Sequence, residues 1–256
     1  MSDGLFKTQL RRLMPRAVRP HRILSGRLRG RWIVTSWHDY PAAILGRTER
    51  ALLDWFEGHV KPGQTWLDVG AHYGYTAIAL SRLVGPRGRV FAFEPMLVTA
   101  GHLGCTRALN NLAQLSIIPC GLGSPEALEV GRLPVVRGMV DRTAPAIDGS
   151  AEQFLVVRLD WLWDRICGGE RRIDGVKLDV QGMEIEAIRG MSALLAEFKP
   201  QLVVEVHKGV DRLDLLDLIE SAGYSRRGDA VEPRPEESTP RYVDDRSYSF
   251  LASPLC

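Results

Sequence analysis

The sequence predicts an α/β domain on a mostly parallel sheet with helices on both faces. An antiparallel C-terminal strand closes it and a basic N-terminal extension precedes it. Three features carry this expectation. Apolar runs such as "TWLDV" (65–69), "RVFAFE" (89–94) and "PQLVVEVH" (200–207) alternate with segments of helical periodicity, the pattern of repeated βαβ units. A glycine turn joins the first run to its helix in "LDVGAHYGYTAIAL" (67–80). Basic charge is concentrated at the start: the first 31 residues hold nine Lys/Arg against Asp3, +8 in a chain of net +2, which leaves −6 for the remainder.

The elements follow in order. "LFKTQLRRLM" sets Phe6, Leu10, Leu13 and Met14 at helical spacing until Pro15 stops it. About ten residues are too few for a stable helix alone, so this segment must dock on its own domain, a membrane or a partner. Residues 20–45 read as short strands and turns. A helix is expected from Thr48 as N-cap, with Glu49 in its first turn and Leu52, Phe56 and Val60 as its apolar stripe, until "KPGQ" breaks it. Strand 65–69, helix 74–84, the turn "GPRG", strand 89–94, helix 97–112 and strand "LSIIPC" come next. Residues 121–150 leave this rhythm. They are rich in Gly and Pro, and "ALEVGRLPVV" suits a hairpin or an irregular loop inserted over the functional face. "FLVVRLDWLWDRI" reads as a strand into a short helix and "DGVKLDV" as a buried strand. Helix 183–195 has Met183, Ala187, Met191 and Leu194 on one face. Asp211 is the expected N-cap of helix 212–222, 228–241 is a polar loop, and "YSFLAS" is the last strand. The expected division is a basic extension over 1–45 and one domain over 46–256.

Composition is that of an ordinary globular protein. No apolar run approaches the roughly 20 residues that span a bilayer, and the first residues lack the apolar core of a signal peptide, so a cytoplasmic location is expected. Cys105, Cys120, Cys167 and Cys256 form no C-x-x-C pair, which fits reduced thiols.

In an open parallel sheet, ligands bind beyond the carboxyl ends of the strands. The first strand ends at Asp68–Val69–Gly70. Gly70 would let the backbone approach a ligand, and Gly74 would let the helix start close to it. The next strand ends at Glu94, whose carboxylate can accept hydrogen bonds from both hydroxyls of a ribose. Each feature is weak alone; in this order and at βαβ spacing they favour an adenosine-type ligand. The glycines are spaced G-x-x-x-G, which leaves no close pyrophosphate cradle, and no G-x-x-x-x-G-K-[ST] is present.

These residues resemble S-adenosylmethionine-dependent methyltransferases of the Rossmann-like class, and more narrowly the FkbM family. The match runs over about residues 46–207 and is carried by "DVGAHYG", "AFEP", "NNL", "LDWL", "VKLDVQGMEIEAIRGM" and "PQLVVEVH". The resemblance implies a seven-stranded, mostly parallel sheet. It also implies that Asp68, Gly70, Ala71 and Gly74 line the methionine end of S-adenosylmethionine, with His72 and Thr76 also among the cofactor-binding residues. Glu94 would hold the ribose, with Pro95 shaping the turn, and Cys120, Gly121 and Leu122 would lie against adenine. Asp179 would face the sulfonium and the acceptor. Two positions depart from the family pattern. His72 stands where Asn is common, and an imidazole there could titrate near neutral pH and lower cofactor affinity as pH falls. Gln181 stands where Glu is common; the loss of charge matters if that Glu is a base or ligand, and little if it only anchors the following helix.

Methyl transfer needs alignment of nucleophile, methyl carbon and sulfur, and a hydroxyl acceptor also needs a base. Asp179, Glu205 and His207 are the catalytic candidates, with His72 assigned to the cofactor shell instead. Asp179 and Glu205 could also hold Mg²⁺ with waters, but two carboxylates on neighbouring strands are thin ground and no metal ligand is assigned. Trp161 and Trp163 fit core packing better than substrate stacking. The expected reaction is O-methylation of a small molecule, natural product or glycan. The alternatives are a nucleic-acid methyltransferase using the basic arm, and a cofactor-binding module without turnover. No Asn-Pro-Pro-Tyr-like base pocket follows the fourth strand, which argues against base methylation. Residues 1–31 could instead touch a membrane or an acidic partner.

Overall fold

The computed structural model describes residues 13–144, 151–233 and 242–253. Its main sheet has seven strands in the order β12-β13-β11-β10-β3-β4-β5. The central four are β3 (Thr65–Val69), β4 (Arg89–Phe93), β10 (Gly175–Leu178) and β11 (Gln201–Val206). With β5 (Leu115–Ile118) they pair in parallel. β13 (Arg246–Phe250) runs antiparallel to β11, and β12 (Asp229–Ala230) antiparallel to β13. From β3 the chain builds outward to β4 and β5, then returns to place β10 on the other side of β3. The β3–β10 boundary is therefore the point where strand order reverses, and a crevice opens beyond the carboxyl ends of these two strands.

Strand alternation divides the interior into two cores. Leu67, Val69, Phe91, Phe93, Leu178 and Val204 point into one. They meet Trp163 of α5 (Leu159–Ile166), Ile188 of α6 (Glu184–Gly190), Leu195 of α7 (Ser192–Phe198) and Ile219 of α8 (Arg212–Ser221). Trp66, Val90, Ala92 and Val203 point into the other. There they meet Phe56 of α2 (Arg50–His59), Ile78 of α3 (Tyr75–Val84) and Leu103 of α4 (Leu97–Leu109). Each such side chain contributes about 1.5–3 kcal/mol by leaving water.

The second core also takes Ile23, Ile33 and Ile44 from the early segment. β1 (Arg19–Arg22) and β2 (Trp32–Thr35) form an antiparallel pair, and α1 spans Pro41–Leu45. The β2 backbone is held by side chains of the α4 region rather than by a further strand: Val34 N donates to Thr106 Oγ1 at 2.9 Å and Trp32 N to Asn110 Oδ1 at 2.9 Å. This docking carries Tyr40 to the crevice. Most of the expected segment 5–14 lies outside the described residues.

The departure at 121–150 is a second sheet of four strands, β6-β9-β7-β8. β7 (Glu129–Val136) and β8 (Met139–Val140) form a hairpin, β9 (Ala151–Val157) pairs with β7, and β6 spans Gly121–Leu122. The hairpin turn lies on the glycine turn. His72 Nε2 donates to Arg137 O at 3.0 Å and Thr99 Oγ1 to Gly138 O at 2.6 Å.

Two helices differ from expectation. Thr48 is not the N-cap of α2: Glu49 holds that position with φ 52°, and its side chain turns into the crevice. The expected helix 183–195 is broken at Met191 into α6 and α7. The break has a tertiary cause. A Cβ on Gly190 would stand 1.7 Å from Gly123 O, so the loop after β6 presses on the end of α6. Asp160 of α5 then caps the new start, accepting from Leu194 N at 3.1 Å and Ala193 N at 3.3 Å. Asp211 caps α8 as expected, accepting from Leu213 N at 2.9 Å. Among the described residues no helix is long and apolar enough to cross a membrane, and Cys105, Cys120 and Cys167 are free thiols.

Candidate functional site

A cleft opens at the β3–β10 reversal. Of the residues expected around the cofactor, Gly70, Ala71, His72, Thr76, Glu94, Pro95, Cys120, Gly121 and Leu122 line it. Asp68 and Gly74 do not, and the reason lies in packing. Gly74 has φ 92°, and a Cβ there would stand 2.1 Å from Leu103 Cδ1. This glycine therefore serves the approach of α3 to α4, not an approach to ligand. Gly70 does line the cleft, but its constraint is also internal: with φ 80°, its Cβ would stand 1.7 Å from Asp179 O. It brings the ends of β3 and β10 together.

Asp68 is fully buried beneath the turn. It accepts from Thr76 Oγ1 at 2.7 Å and lies 3.1 Å from Lys177 Nζ. Lys177, in the middle of apolar β10, is buried as well. It donates to Gly70 O at 2.9 Å and stands 3.4 Å from Asp179 Oδ2. Burial opposes its charge, but Asp68, Asp179 and Glu49 outweigh that and raise its pKa. Lys177 thus ties the glycine turn to the end of β10. A lysine inside the run "GVKL" was the available signal, because lysine is almost never buried unless paired.

Glu94, 2% exposed, staples the same turn. Its Oε2 accepts from His72 N at 2.8 Å and its Oε1 from Met96 N at 3.0 Å. Each oxygen retains a lone pair toward the cleft. Burial pushes its pKa up to about 7, against the two amide hydrogen bonds. His72 has φ 49°, packs 4.3 Å from the Tyr73 ring and 5.0 Å from the Tyr40 ring, and donates through Nε2 to Arg137. Burial lowers its pKa to about 4, so this imidazole stays neutral over the physiological range. This runs against the expected titration near pH 6–7: the hairpin turn packs on the half-buried ring and disfavours its charge.

The three catalytic candidates meet, with Asp179 and Glu205 lining the cleft and His207 buried behind them rather than lining it. His207 Nε2 is 3.5 Å from Asp179 Oδ1 and 3.5 Å from Glu205 Oε1. Its Nδ1 is 2.5 Å from Oε1 of the fully buried Glu184. The amide nitrogen of Gln181 stands 2.8 Å from His207 Nε2 and 3.3 Å from Asp179 Oδ1. Gln181 therefore bridges Asp179 and His207. Burial would lower the His207 pKa, but Glu184, Glu205 and Asp179 raise it to about 11. Burial would raise Asp179, but Lys177 and His207 hold it low. Burial and Asp179 both push Glu205 up. Glu49, unassigned in the sequence, also lines the cleft; burial, Glu205 and Asp179 push it up to about 7. Tyr40, Met139 and Val140 complete the wall from the early segment and the inserted hairpin. Trp163 is buried against Phe91 in the core, whereas Trp161 is half-exposed beneath Arg158.

The chain is similar to known proteins. The ribosomal protein L11 methyltransferase of Burkholderia ambifaria (strain MC40-6) is 32% identical over 121 residues, 41% of this chain and 37% of that protein, so little more than a third of its length is spanned. Methyltransferase sdnD of Sordaria araneosa is 27% identical over 207 residues, 67% of this chain and 77% of that protein. Among solved structures, Aeropyrum pernix fibrillarin in complex with natively bound S-adenosyl-L-methionine superposes with a TM-score of 0.52 at 14% identity, covering 93% of this chain and 89% of that one, which is a likeness of fold. The family model described as the methyltransferase FkbM domain matches residues 68–226, from the buried Asp68 through β10, β11 and α8. The chain belongs to the FkbM methyltransferase family.

Proposed function

We propose that this chain binds S-adenosylmethionine in the cleft and transfers its methyl group to a hydroxyl oxygen of a small molecule or glycan. One observation carries the reading: a single cleft is lined both by Glu94, suited to a ribose, and by Asp179 and Glu205, suited to a hydroxyl, with His207 behind them. In this reading the ribose hydroxyls donate to the remaining lone pairs of Glu94. Adenine lies against Cys120, Gly121 and Leu122, and the sulfonium faces Asp179. The acceptor oxygen attacks the methyl carbon in line with the departing sulfur. The carbon–sulfur electron pair passes to sulfur, leaving neutral S-adenosylhomocysteine. The acceptor's proton passes to the Asp179–Glu205 pair. Most of the acceleration comes from alignment, with the base adding to it.

A nucleic-acid acceptor held by the basic arm is the second reading. Within the described part of the arm, Arg27 pairs with Asp54 and Glu57, and Arg22 lies 4.0 Å over the Trp32 ring. These contacts engage two of the six described arginines of the arm, and the Arg27 pairs are half-exposed, so they weigh only lightly against the arm as a phosphate binder. The test is calorimetry with S-adenosylmethionine, followed by detection of S-adenosylhomocysteine over a panel of hydroxylated small molecules, glycans and RNA. Product with RNA alone would favour the second reading. Cofactor binding without product over the whole panel would point to a binding module.

A further inference from the structure

We propose that Asp179, Glu205 and His207 bind a divalent first-row transition ion. The site stands on its own geometry, while what the ion would do rests on the methyltransfer reading above. One donor atom from each residue lies within 4.8 Å of the other two. The two nitrogen–oxygen edges are both 3.5 Å. Tetrahedral ligands with bonds of about 2.0–2.2 Å stand about 3.3–3.6 Å apart, so these edges need almost no adjustment.

Three further observations support the site. His207 is oriented as ligating imidazoles are: its Nδ1 meets a carboxylate, Glu184 Oε1, at 2.5 Å, which aims Nε2 at Asp179 and Glu205, and an incoming ion would take the place of the Nε2 proton, released to solvent. Both of those groups are buried, His207 to 2% exposure and Glu184 to 0%, so the ring cannot turn away at low cost. The donors also sit on rigid elements. Glu205 and His207 are two apart at the end of β11 and so share a face, and Asp179 follows β10, its parallel neighbour. Finally, the Gln181 amide, a neutral donor on a turn, faces Asp179 Oδ1 and His207, while Lys177 stays on the other oxygen of Asp179, 3.4 Å from Oδ2. Rotation of that amide presents Oε1 as a fourth ligand.

The donor set decides the metal. Mg²⁺ and Ca²⁺ take oxygen ligands, whereas imidazole with carboxylates suits Mn²⁺, Fe²⁺, Co²⁺ or Zn²⁺. The nitrogen of His207, set beside the two carboxylates by the sheet, thus moves the choice away from the Mg²⁺ weighed from sequence. Asp179, Gln181 and Glu205 line the cleft, so the ion would face the acceptor and polarise its hydroxyl.

The test uses the full chain, stripped with a chelator, and titrates Co²⁺ by visible absorption and Zn²⁺ by calorimetry. Expected is one equivalent of each, with Co²⁺ bands of tetrahedral type. Glu205→Gln and Asp179→Asn, which keep side-chain shape, should each weaken binding more than about tenfold. His207→Ala should abolish it, but it strands buried Glu184 and can fail to fold, so the two carboxylate variants carry the test. No saturable binding, or binding unchanged in both carboxylate variants, overturns the site. S-adenosylmethionine binding is measured on the same metal-free protein. Metal without cofactor binding would sink the methyltransfer reading and leave the site; cofactor without metal binding would do the reverse.

Discussion

The carbonyl oxygen of Asp179 fills the place where a side chain on residue 70 would begin, 1.7 Å from an ideal Cβ on Gly70. The turn after β3 and the end of β10 are therefore one rigid unit. Gly70→Ala should push Asp179 away and force a left-handed alanine at φ 80°. We expect a loss of about 2–4 kcal/mol, from overpacking and backbone strain together. Urea unfolding measures it, and a loss under about 1 kcal/mol would show that the two strand ends yield.

Lys177 holds the same unit electrostatically, between Asp68 and Asp179. Lys177→Met fills the volume but leaves Asp68 fully buried without the cation that offsets its burial. Breaking a buried pair in this way costs about 3–5 kcal/mol. The double variant Lys177→Met/Asp68→Leu should recover much of that loss. Failure of the second change to restore any stability would remove the ion pair from the account.

The carboxylate of Glu94 titrates at about 7, raised by burial. The ionised form accepts ribose hydroxyls at both oxygens, whereas protonation takes one oxygen out of service and removes the charge that strengthens the other bond. Affinity for S-adenosylmethionine should therefore be level above pH 7 and fall below it, by at most about tenfold per pH unit. Glu94→Gln should flatten the profile, and Glu94→Ala should weaken binding by about 1.5–3 kcal/mol at pH 8. His72→Asn should leave the profile in place. Calorimetry from pH 5.5 to 8.5 decides; a slope that vanishes in His72→Asn would return the titration to the imidazole.

His72 should show itself in stability instead. Its folded pKa of about 4 lies below the 6.5 of an open imidazole, so the unfolded chain takes up the proton first as pH falls. Its contribution is complete above pH 6.5 and is lost between about pH 6.5 and 4. His72→Asn should make the melting temperature less dependent on pH in that window. Equal slopes for the two proteins would mean the ring is open to water.

Asp179→Asn keeps the shape of the cleft and removes one charge beside Lys177 and His207. Turnover should fall far more than cofactor affinity, about 10²-fold or more if the residue aligns or deprotonates the acceptor. Equal losses in both would make Asp179 a binding residue alone.

Much of this was legible in one dimension. The alternation of apolar strands with helical segments specified the parallel sheet, because each βαβ unit must bury its strand on both faces. The order Gly70, Glu94, Asp179, Glu205 and His207 followed from it, since strand ends on one edge face one crevice. The Asp211 cap was equally local. Side-chain neighbours across the chain were not legible. That Glu184 orients His207, that Arg137 and the inserted hairpin keep His72 neutral, and that Glu49 and Tyr40 reach the cleft depend on contacts between distant segments. So does the packing that sets Gly74 against Leu103 and Gly70 against Asp179. Pattern and propensity act over a turn or a strand, and they fixed the frame. Burial and charge act through space, and only packing decided which groups ionise and which donors converge.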